Sequence, residues 1–256
     1  MPAAQAAAPS NDDFASAQTL LTGVTTAGTN VDATAEVGEP DPQDDGGNGN
    51  GTEATVWYEW TAPTSGSFIA TTASSDIDTY LAVFTGSSVD SLTPVHEDDD
   101  DPISDWTFTA TAGTTYYLQV DGYHDDQTET GAVAVAVMPS TVLSGHVTLP
   151  ARAEVSEASL YNPITGREYD AKVDLSTGTY EFPSVLPGHY LAGFFYAAGA
   201  DGGMLFYGDT TDINAAAILT IASGCTYHNL NADVTTEKVS GPTGSCTPAC
   251  VSAKRT

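Results

Sequence analysis

The sequence predicts an all-β chain folded as two tandem β-sandwiches. Three observations predict it. Short runs of β-branched and aromatic residues alternate with polar ones, as the two faces of a strand do. Gly, Pro, Ser and Asp interrupt those runs at roughly the 8–12-residue spacing of a sandwich. The charge also changes character once along the chain. Residues 1–139 carry 23 Asp and Glu and no base, whereas residues 140–256 carry 11 acids and all six Lys and Arg. That break, at Met138-Pro139-Ser140-Thr141, reads as a domain boundary. It leaves a flexible tail at 1–9, a first domain at 10–139, a second at 140–235, and a Cys-, Gly- and Pro-containing tail or linker at 236–256.

In the first segment, Phe14, Ala17, Leu20 and Leu21 suit one short helical turn or a simple apolar pin. Val56, Tyr58 and Trp60 alternate with Trp57, Glu59 and Thr61, so the two sets occupy opposite strand faces. Strands are expected at 66–73, 79–85 and 105–111. Tyr116, Leu118 and Val120 then alternate with Tyr117, Gln119 and Asp121, and a last run covers 131–137. In the second segment, Ser144–Thr148, Ala158–Asn162, Thr177–Phe182 and Leu186–Phe194 carry the strand signal. Gly178 and Gly188 stand where hairpins need positive φ or a tight turn, with Pro187 pre-setting the second. Tyr180, Phe182, Tyr190, Phe194 and Tyr196 are spaced by two within their runs, which puts them on core faces.

The 256-residue chain has a formal charge of −28 and 41% apolar residues. The apolar share supports real cores despite the charge. Nucleic acid and anionic membrane surfaces are excluded as partners, because both need a basic face. No run of about 18 apolar residues occurs, so membrane insertion through a helix is not expected. The expected partners are cations, an extracellular polymer such as a glycan or matrix protein, or other copies of the chain. Residues 1–9 lack a basic and apolar leader, and resemble the small-residue stretch around a cleavage site.

Two family resemblances cover most of the chain. Asn11-Asp12-Asp13-Phe14-Ala15-Ser16-Ala17, Thr29–Thr34, Val56-Trp57-Tyr58-Glu59-Trp60-Thr61-Ala62-Pro63, Ser75–Gly86 and Ala112–Gly122 follow one another as the blocks of a bacterial pre-peptidase C-terminal domain do. Residues 10–138 resemble that family, which implies a jelly-roll-like sandwich attached to secreted enzymes and surface proteins. Members are usually non-catalytic, and some relatives bind Ca²⁺ and extracellular polymers. Residues 141–235 resemble the carboxypeptidase regulatory-like domain through Ser144-Gly145-His146-Val147, Thr177-Gly178-Thr179-Tyr180-Glu181-Phe182 and Leu186-Pro187-Gly188-His189-Tyr190. That resemblance implies a smaller transthyretin- or Ig-like sandwich acting as a spacer, folding aid or contact surface.

Catalytic motifs are scarce. None of His96, His124, His146, His189 and His228 lies in a nucleophile or zincin context. The Gly-rich run 44–51 has no Lys and misses the EF-hand spacing, so it reads as a surface loop. Carboxylates are the stronger signal. Asp76, Asp78 and the run Asp98, Asp99, Asp100, Asp101 form one candidate Ca²⁺ ligand group, and Asn11, Asp12 and Glu39 a second. A solvated acidic surface, as in a halophilic protein, is the competing reading. Trp57, Trp60, Trp106, Tyr117 and Tyr123 are candidates for a sugar-stacking platform or for core. The three cysteines all fall late, and in a secreted protein Cys225 is expected to pair with Cys246 or Cys250.

The expectation is a secreted or cell-surface, non-catalytic accessory or adhesion module that binds Ca²⁺ and an extracellular polymer or protein. A self-assembling surface or filament subunit is the first alternative. A hydrolase built on paired carboxylates is the second.

Overall fold

A computed structural model describes residues 7–40, 53–98, 104–123, 129–199 and 201–246. The chain is all-β, with two compact units, Met1–Pro139 and Ser140–Thr256. The strands of the first unit are β1 (Gln18–Thr19), β2 (Thr26–Thr29), β3 (Val56–Thr61), β4 (Gly66–Thr71), β5 (Thr79–Thr85), β6 (Thr93–Asp98), β7 (Asp105–Ala110), β8 (Thr115–Gly122) and β9 (Ala132–Pro139). One sheet runs β1-β3-β8-β5-β6 and the other β2-β9-β4-β7. All pairings are antiparallel except β1 with β3. Strand alternation sends Val56, Tyr58, Trp60, Leu118, Val120, Leu81 and Val83 inward from the first sheet. There they meet Phe68, Phe108, Val133, Val135 and Val137 of the second.

Strand β3 is unusual because both of its faces are buried. Trp57 and Trp60 are 0% and 1% exposed. Trp60 packs in the inter-sheet core against Phe68 and Phe108. Trp57 points the other way, into a smaller cluster with Phe14, Tyr80, Ala82 and Phe84. The cover over this second face begins with the N-terminal segment. A 3-10 turn, Phe14–Ser16, sets Phe14 edge-on to Trp57 at 5.2 Å. Of the apolar set expected to pin the N-terminus, Phe14 and Leu20 are buried, whereas Leu21 is exposed.

The second unit comprises β10 (Thr141–Thr148), β11 (Val155–Tyr161), β12 (Glu168–Lys172), β13 (Thr179–Val185), β14 (Gly188–Ala198), β15 (Asp201–Phe206), β16 (Ile218–Ile221), β17 (Cys225–His228), β18 (Asn231–Asp233), β19 (Lys238–Ser240) and β20 (Thr243–Cys246). One sheet orders β19-β18-β10-β17-β20 with β13 on β10; the other orders β12-β11-β14-β15 with β16 on β14. Tyr180 and Phe182 of β13 face Tyr190 and Phe194 of β14 across a single core, with Tyr180 and Phe194 edge-to-face at 5.9 Å. Tyr196 packs on its margin. Gly178 has φ +75°, as its hairpin requires. Gly188 instead opens β14 in ordinary backbone, and its lack of a side chain leaves room beside Asn162.

Two expectations change. The stretch 93–98 carried no strand signal, yet it forms β6 on β5, with a register shift between Val83 and Phe84 that accommodates Pro94. The tail expected from residue 236 contains two strands, β19 on β18 and β20 on β17. Pairing to existing strands outweighs the linker-like composition there. Cys225 and Cys246 stand opposite each other in the β17–β20 ladder and are bonded. The alternative partner, Cys250, lies outside the described residues.

The bond closes a loop of 21 residues, so its loss is expected to cost about 3 kcal/mol of second-unit stability. Denaturant unfolding of a Cys225→Ser/Cys246→Ser variant measures this. Thiol titration of the denatured, unreduced chain should find one free thiol among the three cysteines. Three free thiols would show the pairing to be wrong.

Candidate functional site

Antiparallel strands return the chain to the same end of the first unit again and again. β4, β6 and β8 finish there, and β5, β7 and β9 begin there. The described parts of the connections there, 72–78, Ser104, Tyr123 and 129–131, therefore lie side by side. Eight of the 23 carboxylates of residues 1–139 fall within the sequence stretches 72–78, 99–104 and 123–131. Asp76 and Asp78, from the first candidate ligand group, sit in the turn before β5. The Asp76 amide donates to Ala132 O at 3.0 Å. The Asp78 amide donates to Glu129 Oε2 at 3.0 Å, and Asp78 O accepts from Tyr123 N.

The opposite loop is clamped by Asn30, which is fully buried. Asn30 Nδ2 donates to Glu129 O at 3.0 Å, and its Oδ1 accepts from Gly131 N at 2.8 Å. A side chain at Gly122 would collide with the Glu129 backbone, so this close approach requires glycine. On the far side, Thr72 holds Ser104 O and shares a hydroxyl contact with Thr79 at 2.6 Å. The strand-end loops are thus tied by hydrogen bonds, one of them from the Asp78 amide to the Glu129 carboxylate. Asp98 ends β6, paired with Leu81. Asp99, Asp100 and Asp101 lie outside the described residues, as do His124 and the Gly-rich run 44–51. Among the described residues, no three His, Cys, Asp or Glu side chains converge as a metal cluster.

The second expected ligand group becomes one hydrogen-bonded chain. Asp12 accepts from Thr34 N at 2.7 Å and Thr34 Oγ1 at 3.0 Å. Thr34 O accepts from Thr55 Oγ1, which also donates to Glu39 Oε2 at 2.7 Å. Asn11 Nδ2 donates to Trp57 O, and Trp57 N donates to Asn11 O. Asn11 and Asp12 therefore fasten the covering segments to β3, and both Asp12 oxygens already hold protein donors.

Glu39 leads to residues that no motif singled out. Its Oε1 accepts the Trp57 indole N–H at 2.8 Å. Its Oε2 lies 3.5 Å from Gln119 Nε2, which also donates to Pro40 O at 3.1 Å. Two positions further along β8, Asp121 is almost fully buried. It accepts three backbone N–H groups, from Glu53, Ala54 and Gly122. Desolvation raises the Asp121 carboxyl to about 6, with the nearby Glu39 charge adding to the rise. Burial also raises Glu39 above its ordinary range, against the bonds from Trp57 and Thr55. With no Lys or Arg before residue 140, neither carboxylate has a base in its own unit.

The aromatic candidates separate cleanly. Trp57 and Trp60 are core, Tyr117 is half-buried, and Trp106 and Tyr123 are exposed at 40% and 39%. Trp106 stacks on His96. No helix among the described residues is long and apolar enough to cross a membrane. Comparison with protein-family models gives no match, and comparison with curated proteins gives none either.

The raised carboxyl of Asp121 has a definite consequence for stability. An unfolded Asp titrates near 3.8 and the folded one near 6, so between these values the native state holds the extra proton. Stability is therefore favoured below about pH 4 and falls as pH rises through 6. The loss is on the order of 3 kcal/mol. Urea unfolding from pH 4 to 8 should show this fall, and Asp121→Asn should flatten it. An unchanged slope in the variant would assign the whole effect to the other acids.

Proposed function

We propose that the chain is a secreted, non-catalytic accessory or adhesion module. Its first unit binds Ca²⁺ through the strand-end carboxylates and presents that end to an extracellular glycan or matrix protein. The observation that carries this reading is the gathering of loops bearing Asp76, Asp78 and Glu129 beside the end of β6, in a unit without a base. Carboxylate, carbonyl and water oxygens are what Ca²⁺ takes. Exposed Trp106 and Tyr123 flank the same strand ends and offer flat faces for a sugar or a protein side chain. The Cys225–Cys246 bond is compatible with an oxidising compartment. The resemblances to pre-peptidase C-terminal and carboxypeptidase regulatory-like domains point the same way.

A second reading, self-assembly, draws on a different surface. The outer face of the β14 sheet exposes Phe195, Met204 and Ile218, of which Phe195 and Met204 are cross-strand partners. Sedimentation over a concentration series distinguishes the two readings. A concentration-dependent rise in mass that Phe195→Ser removes would favour assembly.

The direct test is binding of the full chain to glycan and matrix-protein arrays, with Ca²⁺ and with chelator. Binding should require Ca²⁺ and weaken in Asp76→Asn/Asp78→Asn. It should also weaken in Trp106→Ala if the aromatic faces make contact. Binding that is indifferent to chelator and to the Asn substitutions, or absent throughout, would overturn the reading.

A further inference from the structure

The outer face of the first sheet carries a cleft of about 460 Å³. Glu59 of β3 and Tyr117 of β8 line it, and as cross-strand partners they stand next to each other on that face. The 3-10 turn Phe14–Ser16 borders one part, and Ser87 and Ser88, just after β5, border another. Phe14 packs on Tyr117 with ring centroids 4.4 Å apart. The Phe14 amide donates to Glu36 Oε2 at 3.0 Å, which brings a second carboxylate into the lining. One carboxylate therefore adjoins each ring.

Each carboxylate has one oxygen engaged by a neutral donor. Glu36 Oε2 holds the Phe14 amide, and Glu59 Oε1 accepts the Thr19 hydroxyl at 2.8 Å. Among the described residues, no hydrogen bond reaches Glu36 Oε1 or Glu59 Oε2. No Lys or Arg precedes residue 140, so the unit has no cation of its own to place there. Glu36, Glu59 and Tyr117 are all half-buried, which weakens screening by salt. Two such carboxylates beside two aromatic rings complement a cation with a flat or apolar body. The rings attract its charge, and the carboxylates take its N–H groups. A bare metal ion fits this lining less well, because the rings supply it with no oxygen ligand.

We propose that this cleft is an interaction site for an arginine side chain, presented by a basic segment of a partner protein. A guanidinium is planar, stacks on aromatic faces, sheds water more readily than an ammonium and carries five N–H donors in fixed directions. Those donors suit the two free carboxylate oxygens, and its flat face suits the Phe14–Tyr117 pair. The 23 acids and absent bases of residues 1–139 draw a basic segment in from a distance. The cleft then selects among the side chains that arrive. It is separate from the strand-end carboxylates. Asp76 and Asp78 precede β5, whereas Ser87 and Ser88 follow it, a strand length of roughly 20 Å away.

Fluorescence anisotropy on the full chain, with chelator present, provides the test. The probe is a labelled peptide of alternating glycine and arginine. Two further probes replace arginine by lysine or by citrulline, its uncharged isostere. The expected result is saturable binding of the arginine peptide, weaker binding of the lysine peptide and none of the citrulline peptide. Glu36→Gln/Glu59→Gln should raise the Kd of the arginine peptide about tenfold or more, as loss of charge-assisted hydrogen bonds does. Glutamine keeps an acceptor for the Phe14 amide and the Thr19 hydroxyl, and circular dichroism checks that the variants fold. If the double variant does not fold, Glu59→Gln alone decides. Asp76→Asn/Asp78→Asn removes the same charge elsewhere and should leave the Kd nearly unchanged. Equal weakening by the two double variants would mean that the general field holds the peptide, and would overturn the site. Lysine binding as tightly as arginine, or no saturable binding by the parent chain, would overturn it too.

Discussion

Burial of β3 on both faces is the constraint on which the first unit depends. A sandwich normally hides one face of each strand and wets the other. Here the outward residues of β3 and β8 include Trp57, Gln119 and Asp121, and all three are buried. The chain before β3 therefore serves as a third layer. Phe14 supplies its apolar part, while Asn11, Asp12 and Glu39 supply hydrogen bonds. The hydrogen bonds matter because the layer has little regular secondary structure of its own. Side chains must satisfy backbone groups that a strand or helix would have satisfied internally.

That third layer creates an electrostatic difficulty. Covering the face removes Asp121 and part of Glu39 from water, yet the segment has no base to offer them. Backbone N–H groups are the substitute. Three of them converge on Asp121, and an indole N–H and a hydroxyl serve Glu39. Dipoles compensate only partly for lost hydration, which is why desolvation still dominates both carboxyls. Asp76 and Glu129 escape this difficulty by staying exposed, where like charges are screened.

The two-sandwich, all-β character was legible because alternation is a local signal. Val56, Tyr58 and Trp60 against Trp57, and Leu118 and Val120 against Gln119 and Asp121, separate as their spacing predicts. What alternation could not convey is whether the second face is covered, since that depends on residues 18 to 80 positions earlier in the chain. Gln119 consequently read as an ordinary outward polar residue. Glu129 and Asn30 were equally silent, being joined by a contact 99 residues apart in sequence. β6 was missed because Pro94 and the acids after His96 mask a strand that its neighbour β5 templates. β20 was missed because Thr243–Cys246 has loop composition and is exposed throughout; its order comes from the ladder with β17 and from the covalent bond at its end.

The position of that bond has a mechanical meaning. Among the described residues β20 hydrogen-bonds to the sheet only through β17, and Cys246 is its last residue. Tension arriving from the chain beyond Cys246 would meet the ladder at its free end, where an antiparallel pair opens one rung at a time like a zipper. With Cys246 joined to the first residue of β17, the same tension bypasses β20 and enters the second unit at Cys225, which is buried in it. The loaded covalent path then runs from Cys225 towards the N-terminus, and residues 226–245, with the β17–β20 and β18–β19 pairs, stay out of it. Reduction would return that stretch to the loaded path and leave the β17–β20 ladder open to peeling from its end.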